Sequence, residues 1–551
     1  MVTENSRSTD ARPENSNLVR ISLADVRRRE KRCPQELATK IRPSTPRPRR
    51  GTTSPAAPRA LTKWPLVPLH DVLDLMEFGE RSLEDALAQW RAAPKNPVHP
   101  ALAQWTEHAL RGYLTAAAAV PAAPGVPPAG LRPVSRLWAR QRGPVKPGAP
   151  DMYEEMVTDR RYAGHGVREL RLVRTGSVKD RPRDGVEIAL AVGVLAGGSP
   201  VLSSRWDRNP LTLGRYERPR LVRLVEIGCV DASQRILFEG TCEEAYALYD
   251  ERVEEALDRI VTGDAYRPGD NCARCGAVAD CPAVPSVPGL LGISRPGARR
   301  RSWSVTTGRS YRRCPARAHL EDLFLPRDTS AEDSEAVVRG KAVHAWIESR
   351  HRRTPQRPCT PDDVPGPPEG WRYEKWSVTG LQARLGIQMI ADHALVCPLR
   401  DRPDDTEVHP EETVAAYDPD ADVVVLAKTD LLYRVNGRWT VRETKTARVP
   451  DEGNLLDQHP QLALAVQLAR TGVLPGDGHC GVELERLTGS GPVVTELDVA
   501  APDVVSEAQR VLAEYVTPWH ADARYPAKAG QACADCPFTR WCPDAVDGSG
   551  G

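Results

Sequence analysis

No run of about 18 uninterrupted apolar residues occurs in this 551-residue chain, which argues against a membrane-spanning helix. The opening stretch MVTENSRSTDARPENSN is polar and lacks the apolar core of a secretory signal. Net charge is nearly absent too: 75 Lys+Arg stand against 74 Asp+Glu, which excludes a wholesale polycation but leaves room for a local basic groove. There is no G-x-x-x-x-G-K-[ST] phosphate loop, so any processive motor would have to be a separate helicase or ATPase subunit. Together these absences lead us to expect a cytoplasmic chain with no membrane partner. Its length suits two large domains or three to four ordinary ones.

Cysteine, by contrast, is plentiful. Thirteen are present, and a cytoplasmic setting disfavours structural disulfides. Six of them form two copies of one pattern, C-x2-C-x5-C-P: Cys272, Cys275, Cys281 with Pro282, and Cys533, Cys536, Cys542 with Pro543. A soft-metal site usually takes four thiolates. The missing ligands also match each other, since Cys33-Pro34 follows Lys31-Arg32 and Cys314-Pro315 follows Arg312-Arg313. The expected sets are Cys33 with Cys272, Cys275 and Cys281, and Cys314 with Cys533, Cys536 and Cys542. An iron–sulfur cluster fits one distant ligand plus a local triplet, and zinc is the alternative. Either metal would staple the two ends of a domain. Cys229, Cys242, Cys359, Cys397 and Cys480 read as ordinary thiols.

The duplication extends between the cysteines. Thr429-Asp430 through Glu443-Thr-Lys445-Thr446 aligns without a gap on Thr158-Asp159 through Leu172-Val-Arg174-Thr175. Gln461-Leu-Ala-Leu-Ala-Val then matches Glu187-Ile-Ala-Leu-Ala-Val. Such self-similarity predicts two copies of one domain, 18–290 and 302–546, joined by a linker at 291–301 within a Pro/Gly/Arg stretch. Pro-rich insertions near 41–68 and 119–150 are expected on the surface of the first copy, with disordered tails at 1–17 and 547–551.

In the second copy, Val423-to-Tyr433 reads as β-rich, Asn436-Gly437 as a hairpin turn, and Arg438-to-Lys445 as the returning strand. Glu443 and Lys445, two apart, project from one face, and the hairpin brings Asp430 near them. Two carboxylates and one ammonium suit divalent-metal phosphodiester hydrolysis, with Mg²⁺ or Mn²⁺ on oxygen ligands. An exposed hairpin carrying a surface ion pair is the competing reading of the same spacing.

Asp430, Glu443-x-Lys445 and Gln461, enclosed by Cys314 and the C-x2-C-x5-C triplet, resemble the RecB-like branch of the PD-(D/E)XK nucleases. The likeness is greatest to the iron–sulfur members among AddB-type recombination nucleases and CRISPR-adaptation exonucleases. Their G-x-x-x-H motif is met by Gly340-Lys-Ala-Val-His344. The resemblance implies an α/β chain of two tandem restriction-endonuclease-like domains, each a central mixed sheet flanked by helices. It implies His344, Asp430 and Glu443 as metal ligands, Lys445 as the catalytic lysine and Gln461 as a helper. It further implies a 4Fe–4S cluster on Cys314, Cys533, Cys536 and Cys542, and by extension a second on Cys33, Cys272, Cys275 and Cys281. One departure is that the usual Q-x-x-x-Y ends in Ala465.

The first copy has lost this chemistry. Leu172, Arg174 and Glu187 stand where the second has Glu443, Lys445 and Gln461, and leucine cannot ligate a metal. Arginine runs at Arg27-Arg28-Arg29, Arg215-to-Arg220 and Arg299-Arg300-Arg301 suggest that it grips DNA phosphates instead. The expected function is a metal-dependent DNA nuclease in repair, recombination or defence. The alternative is a non-catalytic nucleic-acid-binding scaffold with two structural metal clusters.

Overall fold

A computed structural model of the protein describes residues 17–43, 60–128, 130–144, 147–203, 209–297, 299–328, 334–400, 406–448, 453–476 and 478–546. The tails expected at 1–17 and 547–551, Asn17 apart, lie outside the described residues, as does 44–59 of the first Pro-rich insertion.

The first half begins with strand β1 (Leu18–Ser22) and helices α1 (Leu23–Arg28) and α2 (Pro34–Lys40). Three helices follow, α3 (Leu66–Glu77), α4 (Leu83–Ala92) and α5 (Pro100–Ala119). Next come strands β2 (Arg132–Pro133), β3 (Trp138–Arg142), β4 (Met152–Val157), β5 (Arg160–Gly164) and β6 (Val167–Arg174), then helix α6 (Gly185–Gly197). Strands β7 (Ser199–Pro200), β8 (Leu221–Gly228) and β9 (Ser233–Gly240) and helices α7 (Cys242–Arg252) and α8 (Glu254–Val261) complete it.

The second half starts with β10 (Arg301–Trp303), α9 (Val305–Arg313), α10 (Pro315–Asp322) and α11 (Glu335–His351). A hairpin of β11 (Gly370–Tyr373) and β12 (Trp376–Thr379) leads into α12 (Gly380–Val396). Strands β13 (Glu407–Pro410), β14 (Thr413–Asp418), β15 (Val423–Lys428), β16 (Leu431–Val435) and β17 (Arg438–Thr446) come next. The half closes with α13 (Leu455–Gln458), α14 (Pro460–Arg470), β18 (Gly481–Thr488), β19 (Gly491–Leu497) and α15 (Pro502–Ala521).

The main sheet of the second half has the order β13-β16-β17-β18-β19; β17 and β18 run parallel and every other pair is antiparallel. That of the first half, β2-β5-β6-β8-β9, has the same pattern, with β6 and β8 as the parallel pair. A parallel pair needs a crossover, and α14 and α6 supply it. Both are apolar nearly all round, with Leu462 to Ala469 and Ala189 to Ala196 buried, as enclosed helices must be. A smaller sheet repeats as well: β10 lies parallel to β15, which pairs antiparallel with β14, and β1 lies parallel to β4, which pairs antiparallel with β3.

Two expectations need correction. The 119–150 insertion is not only a surface loop, because β3 runs between β4 and β7 with Trp138 and Ala139 buried. Pairing with β1 satisfies one edge of β4, and β3 covers the other. Nor does the linker expected at 291–301 begin free of a core. Leu290 and Leu291 enter the second half's core beside Trp303 and Val516, and the Leu291 N–H donates to Asp418 Oδ2 at 2.8 Å.

The halves also exchange contacts at their cysteine-bearing ends. Cys272, Val278 and Val284 pack on Ala415, Tyr417 and Val424 of the second half. Phe538 and Trp541 pack with Leu69, Leu87 and Trp105 of the first. Among the described residues, no helix is long and apolar enough to cross a membrane.

Candidate active site

Asn436 and Gly437 join β16 to β17 with φ of 52° and 74°, the left-handed pair that a tight hairpin requires. The register opposes Leu431 to Arg442, which brings Asp430 to the far end of β17. There the Thr444 N–H donates to Asp430 Oδ2 at 2.8 Å. Side chains alternate along the strand, so Glu443 and Lys445 share one face while Arg442 and Thr444 take the other. Lys445 Nζ forms a close ion pair with Glu443 Oε1. From α11, His344 brings Nδ1 to 3.8 Å from Asp430 Oδ1. Gly340 permits that approach: a Cβ there would lie 2.9 Å from Thr446 Oγ1.

The electrostatics of this group follow from its enclosure. Burial raises the pKa of both Asp430 and Glu443; Glu443 is pushed up further by the Asp430 charge, and Lys445 opposes the rise in each. Burial, and then Lys445, push His344 down to about 4, so its imidazole is neutral near pH 7 and keeps a lone pair free to ligate. The side chains are still reachable, at 29% exposure for His344, 23% for Asp430, 9% for Glu443 and 28% for Lys445. Two carboxylates held above their ordinary range mark a place short of positive charge. With the imidazole they form a mainly oxygen donor set that fits Mg²⁺ or Mn²⁺.

A cavity of about 330 Å³ opens beside them, lined by His344, Glu348, Asp430, Thr444 and Glu485 among others. Glu443 and Lys445 lie on the opposite face of β17, so His344 and Asp430 stand at the seam between the two. Gln461 is engaged elsewhere. It sits in the first turn of α14 and accepts a hydrogen bond from Arg309 Nη2 at 2.7 Å. Among the described residues no hydrogen bond links it to the other four.

Both cysteine sets draw together. Cys314, Cys533, Cys536 and Cys542 line one cavity of about 350 Å³. After burial, which raises the Cys272 thiol to about 11, that thiol feels Cys275, Cys33 and Cys281. Equivalent backbone donors serve the two distant ligands: Arg267 N–H to Cys33 Sγ at 3.5 Å and Lys528 N–H to Cys314 Sγ at 3.4 Å. Hydrogen bonds of this kind favour the thiolate form of a cysteine.

In the first half the corresponding place is filled. Leu172 is fully buried beside Glu226 of β8. Arg174, Arg183 and Arg235 converge on Glu226 at 2.6, 2.7 and 2.7 Å, and Arg27 and Arg183 hold Glu187. Several members of the arginine runs expected to grip phosphate have internal partners: Arg29 pairs with Asp184, Arg218 with Glu243, Arg300 with Asp422, and Arg301 donates to the Trp519 carbonyl. His99 caps α5 and bonds the Tyr525 carbonyl at 2.9 Å.

The sequence reading missed Glu485, which is buried behind Thr444 and accepts its hydroxyl at 3.0 Å. It also missed a group of four, His351, Cys359, His393 and Cys397, two of which had passed as ordinary thiols. The available signal was His393-x3-Cys397, one helical turn apart.

Comparison with curated proteins finds no match. Among solved structures the chain is similar to the crystal structure of SSO0001, at 15% identity over 44% of this chain and 87% of that one, with a TM-score of 0.22. The profile of the PD-(D/E)XK nuclease superfamily matches residues 302–543. That span runs from β10 past Cys542 and contains His344, Asp430, Glu443 and Lys445, so residues 302–543 are a PD-(D/E)XK nuclease superfamily domain.

Proposed function

We propose that residues 302–543 are a RecB-like nuclease domain that hydrolyses phosphodiester bonds in DNA with Mg²⁺ or Mn²⁺. The observation that carries this reading is the convergence of His344, Asp430, Glu443 and Lys445 from a helix, a strand start and a strand face. His344, Asp430 and Glu443 would hold the cation, which when bound supplies Lewis acidity to the scissile phosphate. The Lys445 ammonium balances charge developing on the phosphate oxygens and favours the ionised form of Glu443 against the burial that raises it. The neutral imidazole of His344 orients toward Asp430.

The two cysteine sets would hold 4Fe–4S clusters, supported by the shared cavity of the second set and the paired N–H···S contacts. We further read the first half as a degenerate copy of the same domain, on the strength of the two identical sheet orders. Glu226 with its three arginines replaces the metal site there.

The test is cleavage of end-labelled single- and double-stranded DNA by the full chain with Mg²⁺, Mn²⁺ or EDTA. Cleavage that needs the cation is the expected outcome. DNA binding without cleavage under either metal would instead favour the scaffold reading.

A further inference from the structure

Four side chains that the proposed reaction does not use meet at the cavity's edge, where His351 is part of its lining. His351 ends α11, Cys359 lies in the segment after it, His393 is in the last turn of α12, and Cys397 follows that helix directly. All four are buried, and one donor atom from each lies within 4.8 Å of the other three. His351 Nε2 is 3.3 Å from His393 Nε2 and 3.7 Å from Cys397 Sγ.

Those separations have a geometric meaning. A tetrahedral ion bonded at about 2.0–2.1 Å to nitrogen and 2.3 Å to sulfur leaves ligand edges of about 3.3 Å between nitrogens and about 3.6 Å between nitrogen and sulfur. The observed contacts match both edges. The other nitrogen of His393, Nδ1, lies 2.6 Å from the buried carboxylate of Glu485. Metal-bound histidines commonly pair the second nitrogen in this way, and donation of Nδ1–H to Glu485 leaves the Nε2 lone pair facing the group. Leu399, Val408, Leu431 and Tyr433 pack around the cysteines and keep water away.

We propose that His351, Cys359, His393 and Cys397 bind one structural Zn²⁺. Two thiolates and two imidazoles are soft and borderline donors that select zinc over the hard cations suited to Asp430 and Glu443. Four protein ligands leave no open position, so the ion is a staple rather than a reaction centre. It fastens the end of α11 and the 352–369 segment, through Cys359, to the end of α12. The four ligands are none of the residues proposed for the phosphodiester chemistry and none of either cysteine quartet, although His351 lines the same cavity as His344 and Asp430.

The experiment uses the full chain purified without chelators, with zinc and iron measured by mass spectrometry and the zinc shell by X-ray absorption. The expected result is about one zinc per chain with two sulfurs near 2.3 Å and two nitrogens near 2.0 Å. Cys359→Ser with Cys397→Ser should lower zinc about tenfold or more and leave iron unchanged. If that variant does not fold, the wild-type absorption spectrum decides alone. Zinc-free protein, a shell of four sulfurs, or a Cys359–Cys397 disulfide in the peptide map would each overturn the proposal.

Discussion

Lys445→Ala separates the two jobs proposed for this ammonium, and their consequences differ in sign. The side chain is 28% exposed and its partner Glu443 9%, so the pair is only partly screened by water. Losing a preorganised charge at a developing phosphate charge costs about 10²–10³-fold in rate, or about 2.7–4 kcal/mol. The second effect falls on the carboxylates. Asp430 and Glu443 are raised by burial, and Lys445 is what pulls them back. Without it both rise further, so they keep a proton to higher pH and the acid limb of the pH–rate profile moves upward. A carboxylate whose folded pKa exceeds its unfolded value favours folding at low pH and costs stability as pH rises through the folded value. The metal-free variant should therefore be less stable than wild type at pH 8, by about 1–3 kcal/mol, with the gap closing toward pH 5. Added Mg²⁺ should narrow the gap at pH 8, since the cation replaces the missing charge. Single-turnover cleavage against pH, paired with thermal melts with and without Mg²⁺, measures both effects. Undiminished cleavage by the variant at saturating metal refutes the assignment of Lys445 and the electrostatic reasoning with it.

Gly340→Leu forces a side chain into the space 2.9 Å from Thr446 Oγ1 and should destabilise the chain by about 1–3 kcal/mol in urea unfolding. Adding Thr446→Ala should recover part of that loss, and a strictly additive pair would show that the contact is not the cause. His319 lies between His99, at 5.2 Å, and Tyr525, stacked at 4.8 Å; burial, and then His99, push its pKa down to about 3. It is neutral when folded and protonates near pH 6.5 when unfolded, so its contribution is complete above 6.5 and declines toward pH 3 by about 1.4 kcal/mol per unit. His319→Leu should flatten that slope in urea titrations between pH 4.5 and 7, and an unchanged slope would locate the acid sensitivity elsewhere.

What the sequence disclosed depended on how local the information was. The hairpin carrying Asp430, Glu443 and Lys445 is written in strand alternation around Asn436-Gly437, so its geometry follows from the residues themselves. His344 needed Gly340, whose role is visible as a missing side chain. The group at His351, Cys359, His393 and Cys397 joins a helix end, a loop and a second helix, and only tertiary packing unites them. A count of arginines cannot tell a solvated cation from one already bonded to Asp184, Glu187 or Asp422. Composition marked 291–301 as a linker, but it could not show that Leu291, with Leu290 before it, is docked in a core. Gln461 fitted a motif by position, yet its amide oxygen is engaged by Arg309.

The crossed seating of the cysteine-bearing ends bears on how this chain can change. Leu320, Leu323, Phe538 and Trp541 are buried against helices of the first half. A nuclease half cut free would carry that apolar face into water, where such patches promote self-association. The first half thus covers an apolar face of the second, and deleting it should cost the second half solubility as well as stability. Disturbance of either cysteine-bearing end would likewise be felt on both sides of the seam, so the chain should fail as a unit rather than half by half.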